Sequence, residues 1–150
     1  MGAELLKDEY AKVFNIDYSE ILIEQMKKKY LREIIDNKME FLCADITCSK
    51  EMQHYCIEST FKLIVCKATM DSILCANNAE YNVNKMMEQC LRLLDKSGIL
   101  IVVSYDENRL KYFDEHVWDV SVKRVPKLNY EIDGTEHGED YFFYVCAKKA

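Results

Sequence analysis

Residues 80–105, EYNVNKMMEQCLRLLDKSGILIVVSY, change from a helical pattern to a strand pattern. Over about residues 80–95, apolar side chains recur at spacings of three and four, which predicts an amphipathic helix with one buried face. Gly98 follows, and glycine most easily takes the left-handed conformation that ends many helices. Residues 99–105 are an apolar run, which predicts a strand covered on both faces. The apolar stripe of the helix consists of Val83, Met86, Met87, Cys90, Leu91 and Leu94.

Three more strand candidates precede this segment, over residues 13–17, 39–45 and 61–67. Ser19 can cap a helix after the first of them, because its hydroxyl accepts an otherwise unpaired backbone N–H. The sequence between the second and third strands is interpreted as a loop. The helix after Ser19 carries apolar residues at helical spacing, namely Ile23, Met26, Tyr30 and Ile34.

The C-terminal part of the chain has a different pattern. Residues 118–125 and 141–147 look like two strands joined by a loop that contains residues 133–138. No helical stripe fits between them, which predicts an antiparallel pair at one edge of the sheet. Because strands and helices alternate before this pair, the predicted fold class is α/β, with a doubly wound, mostly parallel sheet.

The composition is that of one globular domain. The chain has 150 residues, of which 49% are hydrophobic and 31% charged, so it is too apolar for disorder. Its formal net charge of −6 argues against a nucleic-acid partner. The longest apolar run is far shorter than the roughly 20 residues that span a bilayer, and we expect no signal peptide and no membrane partner. Seven cysteines without a C-x-x-C pair indicate reduced thiols and a cytoplasmic location.

Acidic residues end two of the predicted strands. Asp17 closes the first strand candidate and Asp45 closes the second. In a doubly wound sheet, ligands bind beyond the carboxyl ends of the strands, where one carboxylate suits the hydroxyls of a ribose and the other the amino group of adenine. Tyr18 adds a flat ring for a purine, and Ile46 adds a backbone N–H and an apolar wall. From the residues alone, a turn or capping role for both acids stays equally open.

Four segments resemble class I S-adenosylmethionine-dependent methyltransferases. NIDYS, at residues 15–19, is followed by an apolar-rich helix and resembles the second motif of that family. KATMDSIL, at residues 67–74, resembles a K-G-T-L-D-A segment. Both are similar to the branch that includes the elongation factor 1-alpha lysine methyltransferases and the methyltransferase fused to an endothelin-converting enzyme. Residues 87–99 and 141–148 are similar to segments of many methyltransferases.

The resemblance implies a set of residues that bind S-adenosylmethionine. Asp17 would hold the ribose hydroxyls, with Tyr18 beside the adenine. Asp45 and Ile46 would contact the adenine amino group and ring edge. Lys67 would line the cofactor pocket near the methionine end, unless it is an exposed surface lysine.

Three positions near the predicted third and fourth strands concern the acceptor of the methyl group. Asp71 is expected to N-cap the short helix after it rather than to contact the substrate. Tyr105 and Asp106 lie where an acceptor amine would be oriented, and a packing role is the alternative for Tyr105. We identify no catalytic residue, because in-line methyl transfer to an amine needs alignment and exclusion of water and no covalent enzyme intermediate.

The sequence departs from the family pattern in several places, of which two bear on the cofactor site. Ala68 replaces the glycine of the K-G-T segment, so the loop is expected to manage without free access to a positive φ. The first strand of the family and its glycine-rich turn have no counterpart in the sequence. We therefore expect a single, N-terminally truncated methyltransferase domain over residues 1–150, with a Rossmann-like sheet that lacks this strand and binds the cofactor weakly.

Two classes of function remain. The first is S-adenosylmethionine-dependent methylation of a protein lysine, for which the branch suggests a translation elongation factor as substrate. The second is a non-catalytic methyltransferase-like binding or subunit module. No G-x-G-x-x-G motif supports a dehydrogenase. A zinc site is disfavoured on spacing, and buried thiols are the simpler interpretation of the cluster formed by Cys43, Cys48, His54 and Cys56.

Overall fold

The computed structural model describes residues 2–7, 10–55, 58–126, 130–132, 135–137 and 140–149. The chain divides into two compact units, Met1–Cys56 and Ile57–Ala150, called here the N-terminal and the C-terminal unit. Strands and helices alternate through most of the chain, so the architecture is α/β, as predicted. No helix in the described ranges is long and apolar enough to cross a membrane.

The N-terminal unit is built around two parallel strands. In chain order its elements are α1 (Gly2–Lys7), β1 (Val13–Asp17), α2 (Glu20–Lys29), α3 (Leu31–Ile35), β2 (Met39–Cys43) and α4 (Ser49–Tyr55). β1 and β2 pair in parallel from Val13 opposite Met39 to Asp17 opposite Cys43. The two predicted strands are therefore confirmed, whereas the predicted loop after β2 contains helix α4.

The helix after β1 begins as predicted and is then interrupted. The Ser19 hydroxyl accepts a hydrogen bond from the backbone N–H of Leu22 at 3.3 Å. At Tyr30 the backbone leaves the helical conformation (φ −112°, ψ 31°), so that α2 and α3 are two helices. The predicted apolar stripe of this helix packs into the core of the N-terminal unit. The buried residues of that core are Val13, Ile23, Met39 and Phe41, and the partly buried residues around them are Ala3, Leu5, Leu6, Met26, Tyr30 and Ile34.

The C-terminal unit contains a four-stranded sheet in the order β3-β4-β8-β5. Its elements are β3 (Phe61–Lys67), α5 (Thr69–Leu74), α6 (Ala79–Leu93), β4 (Leu94–Ser104), a 3₁₀ helix (Leu110–Tyr112), β5 (Trp118–Pro126), β6 (Tyr130–Ile132), β7 (Thr135–His137) and β8 (Asp140–Lys148). β3 and β4 are parallel, and β8 runs antiparallel to both β4 and β5. The predicted antiparallel pair at one edge is confirmed, and β6 and β7 form a small hairpin in the predicted loop.

Helix α6 supplies much of the core of the C-terminal unit, but it ends earlier than predicted. Val83, Met86 and Cys90 on its apolar stripe are fully buried. Leu94 is already extended (φ −67°, ψ 137°), so the prediction that Gly98 ends the helix is wrong. Gly98 lies within β4, where a Cβ atom would stand 2.7 Å from the carbonyl oxygen of Phe61. The glycine therefore allows β4 to approach the chain at Phe61 closely.

Each unit has a strand with one free edge in the described part of the chain. There β1 pairs with β2 alone, and β3 pairs with β4 alone. The expectation of one truncated domain that lacks the first strand of the family stays a prediction.

Candidate functional site

The carboxyl ends of β1 and β2 bring together the acids predicted from the sequence. Asp17 is the last residue of β1 and lies opposite Cys43, the last residue of β2. Just beyond the strands, the backbone N–H of Ala44 donates to the carbonyl oxygen of Asp17 at 3.0 Å. Asp45 follows Ala44 directly. The structure therefore places Asp17 and Asp45 at the same edge of this parallel sheet, where ligands of such sheets bind.

The first turn of α2 orients the Asp17 carboxylate. Its Oδ1 accepts a hydrogen bond from the backbone N–H of Ser19 at 2.8 Å, and the side chain is part-buried. In the described part of the chain no hydrogen bond reaches Oδ2, so this oxygen is available to a ligand. A carboxylate held in this way can accept hydrogen bonds from the vicinal hydroxyls of a ribose.

Tyr18 presents its ring to solvent beside this carboxylate. The residue is 80% exposed, while its carbonyl oxygen accepts a contact from the Cys43 Sγ at 3.6 Å. The backbone is thus held at the end of β2 and the ring is left uncovered. An exposed aromatic face on a fixed backbone suits stacking with a purine.

Asp45 is ordered by its own turn and by helix α4. Its Oδ1 accepts hydrogen bonds from both the backbone N–H and the Oγ1 of Thr47, each at 2.8 Å. Its backbone N–H donates to Glu51 Oε2 at 2.8 Å. Ile46, between the two, is half-buried. The predicted adenine-contacting residues therefore lie in a rigid turn, and Glu51 is a residue of this edge that sequence reasoning missed.

Lys67 lies at the carboxyl end of β3, in the C-terminal unit. It pairs with Val103 of β4 and its side chain is exposed. The next residue, Ala68, has φ 57° and ψ 3°, which is the left-handed conformation. The loop thus keeps the conformation that a glycine would favour, although the Cβ atom of Ala68 denies it free access to that conformation. Two hydrogen bonds fix the Ala68 peptide groups, one to Val103 O at 2.9 Å and one from Ser72 N at 3.0 Å.

Asp71 does not cap helix α5, in contrast to the sequence expectation. The cap position is Ala68, and Asp71 lies inside the first turn. Its Oδ1 accepts hydrogen bonds from Ser104 Oγ at 2.7 Å and from Arg109 Nη2 at 3.0 Å. Its Oδ2 accepts from the backbone N–H of Tyr105 at 3.1 Å. Arg109 Nε is a fourth donor to this carboxylate, at 3.1 Å from Oδ1. All four donors lie at or after the end of β4, and none belongs to the N-terminus of α5.

Arg109 is the centre of this polar cluster. Its Nε also lies 3.3 Å from Ser104 Oγ, and its Nη1 lies 3.1 Å from Asp106 Oδ2. The side chains of Arg109 and Asp71 are only 17% and 15% exposed. Ion pairs of this kind are costly to break, because removal of one partner leaves a poorly hydrated charge.

Tyr144 on β8 also binds to this cluster, through its hydroxyl group. Its hydroxyl donates to the carbonyl oxygen of Asp106 at 2.8 Å and accepts from the backbone N–H of Arg109 at 3.2 Å. Burial raises the pKa of the Tyr144 hydroxyl. The Asn108 backbone N–H and the Arg109 guanidinium lower the pKa of Asp106, which is therefore ionised at neutral pH. We call Asp71, Ser104, Asp106, Arg109 and Tyr144 the Arg109 cluster.

Tyr105 stands out of this cluster toward solvent. It is 47% exposed, and its ring centroid lies 5.3 Å from that of Tyr141 at an interplanar angle of 42°. The packing alternative for Tyr105 thus accounts for part of the ring only. The exposed part, next to the ionised Asp106, forms an aromatic and acidic surface at the carboxyl edge of the C-terminal unit.

A protein-family model matches most of the chain. Residues 3–139 match a family model described as a methyltransferase domain. The chain belongs to this methyltransferase family. No curated protein sequence matches the chain.

Solved structures share the fold of this methyltransferase domain. An rRNA methylase from Streptococcus thermophilus is 18% identical, with a TM-score of 0.60 over 93% of this chain and 74% of the other. A TehB-like SAM-dependent methyltransferase from Corynebacterium glutamicum is 18% identical, with a TM-score of 0.59 over 92% and 68%. A precorrin-6y C5,15-methyltransferase from Geobacter metallireducens is 8% identical, with a TM-score of 0.61 over 93% and 67%. These likenesses establish a Rossmann-like methyltransferase fold.

The cysteines of the methyltransferase domain do not form a metal centre in its described residues, where no group of three or more His, Cys, Asp or Glu side chains is arranged to hold an ion. Cys43 is exposed and Cys48 is half-buried, so the interpretation of this cluster as buried thiols is wrong for Cys43. Cys56 lies outside the described residues.

Sequence reasoning missed Arg109 as a site residue of the methyltransferase domain. Arg109 lies 38 positions from Asp71, and no periodic pattern connects them. The available signal was chemical: an arginine in the loop after β4, at the edge where the acid of the K-G-T-L-D-A-like segment also falls. His116 is exposed, and the side chain of His137 lies outside the described residues.

Proposed function

We propose that the chain is an S-adenosylmethionine-dependent methyltransferase domain that methylates a lysine side chain of a protein. The observation that carries the cofactor part is the meeting of Asp17 and Asp45 at the carboxyl edge of β1 and β2, with the exposed Tyr18 ring beside them. This set fits an adenosine moiety: a carboxylate for the ribose, an aromatic face for the purine, and an acid with a half-buried Ile46 for the ring edge. For the methionine end of the donor, the family resemblance implies Lys67.

S-adenosylmethionine, when bound, would supply a sulfonium methyl group: the nitrogen of a neutral amine would bond to the methyl carbon in line as the C–S bond breaks, with S-adenosylhomocysteine as the leaving group. The chain then has to hold the acceptor amine, strip it of water and keep it unprotonated. The exposed part of Tyr105 is suited to hold a lysine side chain, because aromatic faces attract ammonium groups. Asp106 lies next to it and is ionised, so it can attract the protonated amine before the proton leaves to solvent.

A protein acceptor fits the charge of this chain better than a nucleic acid. Acidic residues outnumber Lys and Arg by six, whereas binding to a phosphate backbone is driven by basic surfaces. The rRNA named for the Streptococcus thermophilus relative is therefore the less favoured acceptor class. The resemblance of residues 15–19 and 67–74 to the elongation factor branch suggests a translation elongation factor as the first protein to test, in the cytoplasm.

Calorimetric titration with S-adenosylhomocysteine tests the cofactor site. Asp17→Asn keeps an oxygen for the Ser19 N–H but removes the charge, so we expect about tenfold to a hundredfold weaker binding. Asp114→Asn is the matched control, because the Asp114 Oδ1 accepts the His116 N–H at 2.9 Å in the same way, in an exposed turn. Equal binding by wild type and Asp17→Asn would contradict the site. Absence of binding by the wild type would favour the non-catalytic module.

Transfer of radiolabelled methyl groups tests the acceptor class. Wild-type protein is incubated with labelled S-adenosylmethionine and either purified elongation factor or ribosomal RNA, and the modified residue is identified by mass spectrometry. The proposal predicts label on lysine, and its loss in Asp17→Asn. Label on RNA alone would overturn the lysine proposal while it upholds the cofactor site.

A further inference from the structure

Arg109 connects three parts of the carboxyl edge of the C-terminal unit. Its guanidinium reaches Asp71 on α5, Ser104 at the end of β4 and Asp106 in the loop that follows. We propose that Arg109 is a positioning residue that fixes the loop of residues 105–109, and with it the Tyr105 ring that receives the acceptor amine. This inference rests on the proposed function and extends it to a residue that does not itself contact the acceptor.

Each of the three guanidinium nitrogens of Arg109 has a partner in the cluster. Nε and Nη2 both donate to Asp71 Oδ1, at 3.1 and 3.0 Å, and Nη1 points to Asp106 Oδ2 at 3.1 Å. A lysine ammonium is a single point charge on a flexible stem and cannot span two carboxylates in fixed directions. The requirement is therefore for a planar fork, and charge alone does not satisfy it.

Other side chains of the Arg109 cluster form hydrogen bonds with the backbone of the loop at several points. Asp71 Oδ2 accepts the N–H of Tyr105 at 3.1 Å, and Ser104 Oγ accepts the N–H of Asp106 at 3.1 Å. The Tyr144 hydroxyl binds the loop at both Asp106 O and Arg109 N. These buried and part-buried groups restrict the loop, yet its first residue, Tyr105, is 47% exposed.

The combination of a hydrogen-bonded loop and an exposed Tyr105 side chain favours a positioning role over a packing role. A network that served only to stabilise the fold would have no need to present an aromatic ring at the carboxyl edge. Here the fixed backbone of Tyr105 and the contact with Tyr141, at 5.3 Å between ring centroids, hold the ring in one place. An amine bound on that ring is therefore presented in one direction, which in-line transfer requires.

Arg109→Lys is the informative variant, with Arg124→Lys as its matched control. Arg124 also pairs with a carboxylate, that of Asp140, but its side chain is 72% exposed on β5. We expect Arg109→Lys to raise the KM for the protein acceptor about tenfold or more, with the affinity for S-adenosylhomocysteine within about twofold of wild type. Arg124→Lys is expected to leave both values at wild-type levels.

Tyr105→Ala gives a second, independent reading. It removes the ring without a change to the buried cluster, and it is expected to raise the acceptor KM as Arg109→Lys does. If Arg109 acts through the ring, the double variant is no worse than either single variant. Independent, multiplying effects in the double variant would overturn the proposal, as would an unchanged acceptor KM in Arg109→Lys.

NMR spectroscopy tests the role of Arg109 without an activity assay. The ring protons of Tyr105 and Tyr141 report their mutual orientation by NMR, and we expect them to shift in Arg109→Lys but not in Arg124→Lys. Unshifted ring resonances in a folded Arg109→Lys protein would overturn the positioning role. If the wild type methylates no lysine, the proposed function fails, and this measurement still upholds or overturns the role of Arg109 in holding the ring.

Discussion

At the scale of single residues, Ala68 carries local strain at the candidate site. It connects β3 to α5 with φ 57° and ψ 3°, and the left-handed conformation costs a residue with a Cβ atom about 1–2 kcal/mol. Glycine would remove this cost but would lose about 0.4–1 kcal/mol through its more flexible unfolded chain. We therefore expect Ala68→Gly to raise the free energy of unfolding by about 0.5 kcal/mol, measured by urea denaturation.

Ala76→Gly is the control for this change. Ala76 is exposed, and it is not among the residues with positive φ in the described part of the chain. The same substitution there is expected to lower the free energy of unfolding by about 0.4–1 kcal/mol. Equal destabilisation by the two glycine substitutions would show that Ala68 is not strained.

At the scale of secondary-structure elements, Gly98 sets how closely β4 and β3 approach. A Cβ atom at this position would lie 2.7 Å from the carbonyl oxygen of Phe61 and 2.7 Å from Leu94 Cδ2. The first of these atoms belongs to the backbone and cannot rotate away. We expect Gly98→Ala to lower the free energy of unfolding by about 1–3 kcal/mol, measured by chemical denaturation.

Lys96→Ala tests whether this effect belongs to the contact. Lys96 is an exposed neighbour on the same strand, and a substitution there is expected to change stability by less than about 0.5 kcal/mol. A Gly98→Ala protein as stable as Lys96→Ala would contradict the close approach.

The elements themselves were largely predictable, because each has a local periodic signal. The stripe from Val83 to Leu94 and the apolar runs that become β1 and β3 needed no tertiary information. The end of α6 was not predictable, because Gly98 serves a contact with Phe61, more than 30 positions away, instead of a helix cap. Helix α4 was missed because residues 49–55 carry mostly polar side chains around the buried Met52.

The candidate site was also predictable only in part. Asp17 and Asp45 were predictable because each lies at or just beyond the end of a strand, and parallel strands end at one edge of a sheet. The partner of Asp71 was not, because the carboxylate has several donors within reach and only the folded chain selects Arg109 over the helix N-terminus. Local patterns thus predict where a side chain is, and long-range contacts decide what it binds.

At the scale of the whole molecule, buried thiols determine how stability depends on alkaline pH. Cys66, Cys90 and Cys146 are buried in the C-terminal unit, with 3.9 Å between the Sγ atoms of Cys66 and Cys90. The contact with Cys66, together with burial, raises the pKa of the Cys90 thiol. Burial raises the pKa of Cys146 to about 12. The Cys90 and Cys146 thiols therefore stay protonated in the folded protein at pH values where free thiols ionise.

The sign of the effect follows from this difference. An unfolded cysteine loses its proton above about pH 8.5, whereas the folded Cys146 keeps its proton up to about pH 12. The stabilisation is complete below pH 8.5 and is lost as the pH rises through this window, by about 1.4 kcal/mol per pH unit for each such thiol. Cys146→Ala removes one of these groups, so its free energy of unfolding should fall less steeply by that amount between pH 9 and pH 10. Urea denaturation under reducing conditions measures both slopes. Cys75→Ala, at an exposed thiol, should keep the wild-type slope, and an equal slope in Cys146→Ala would mean that water reaches this thiol in the folded protein.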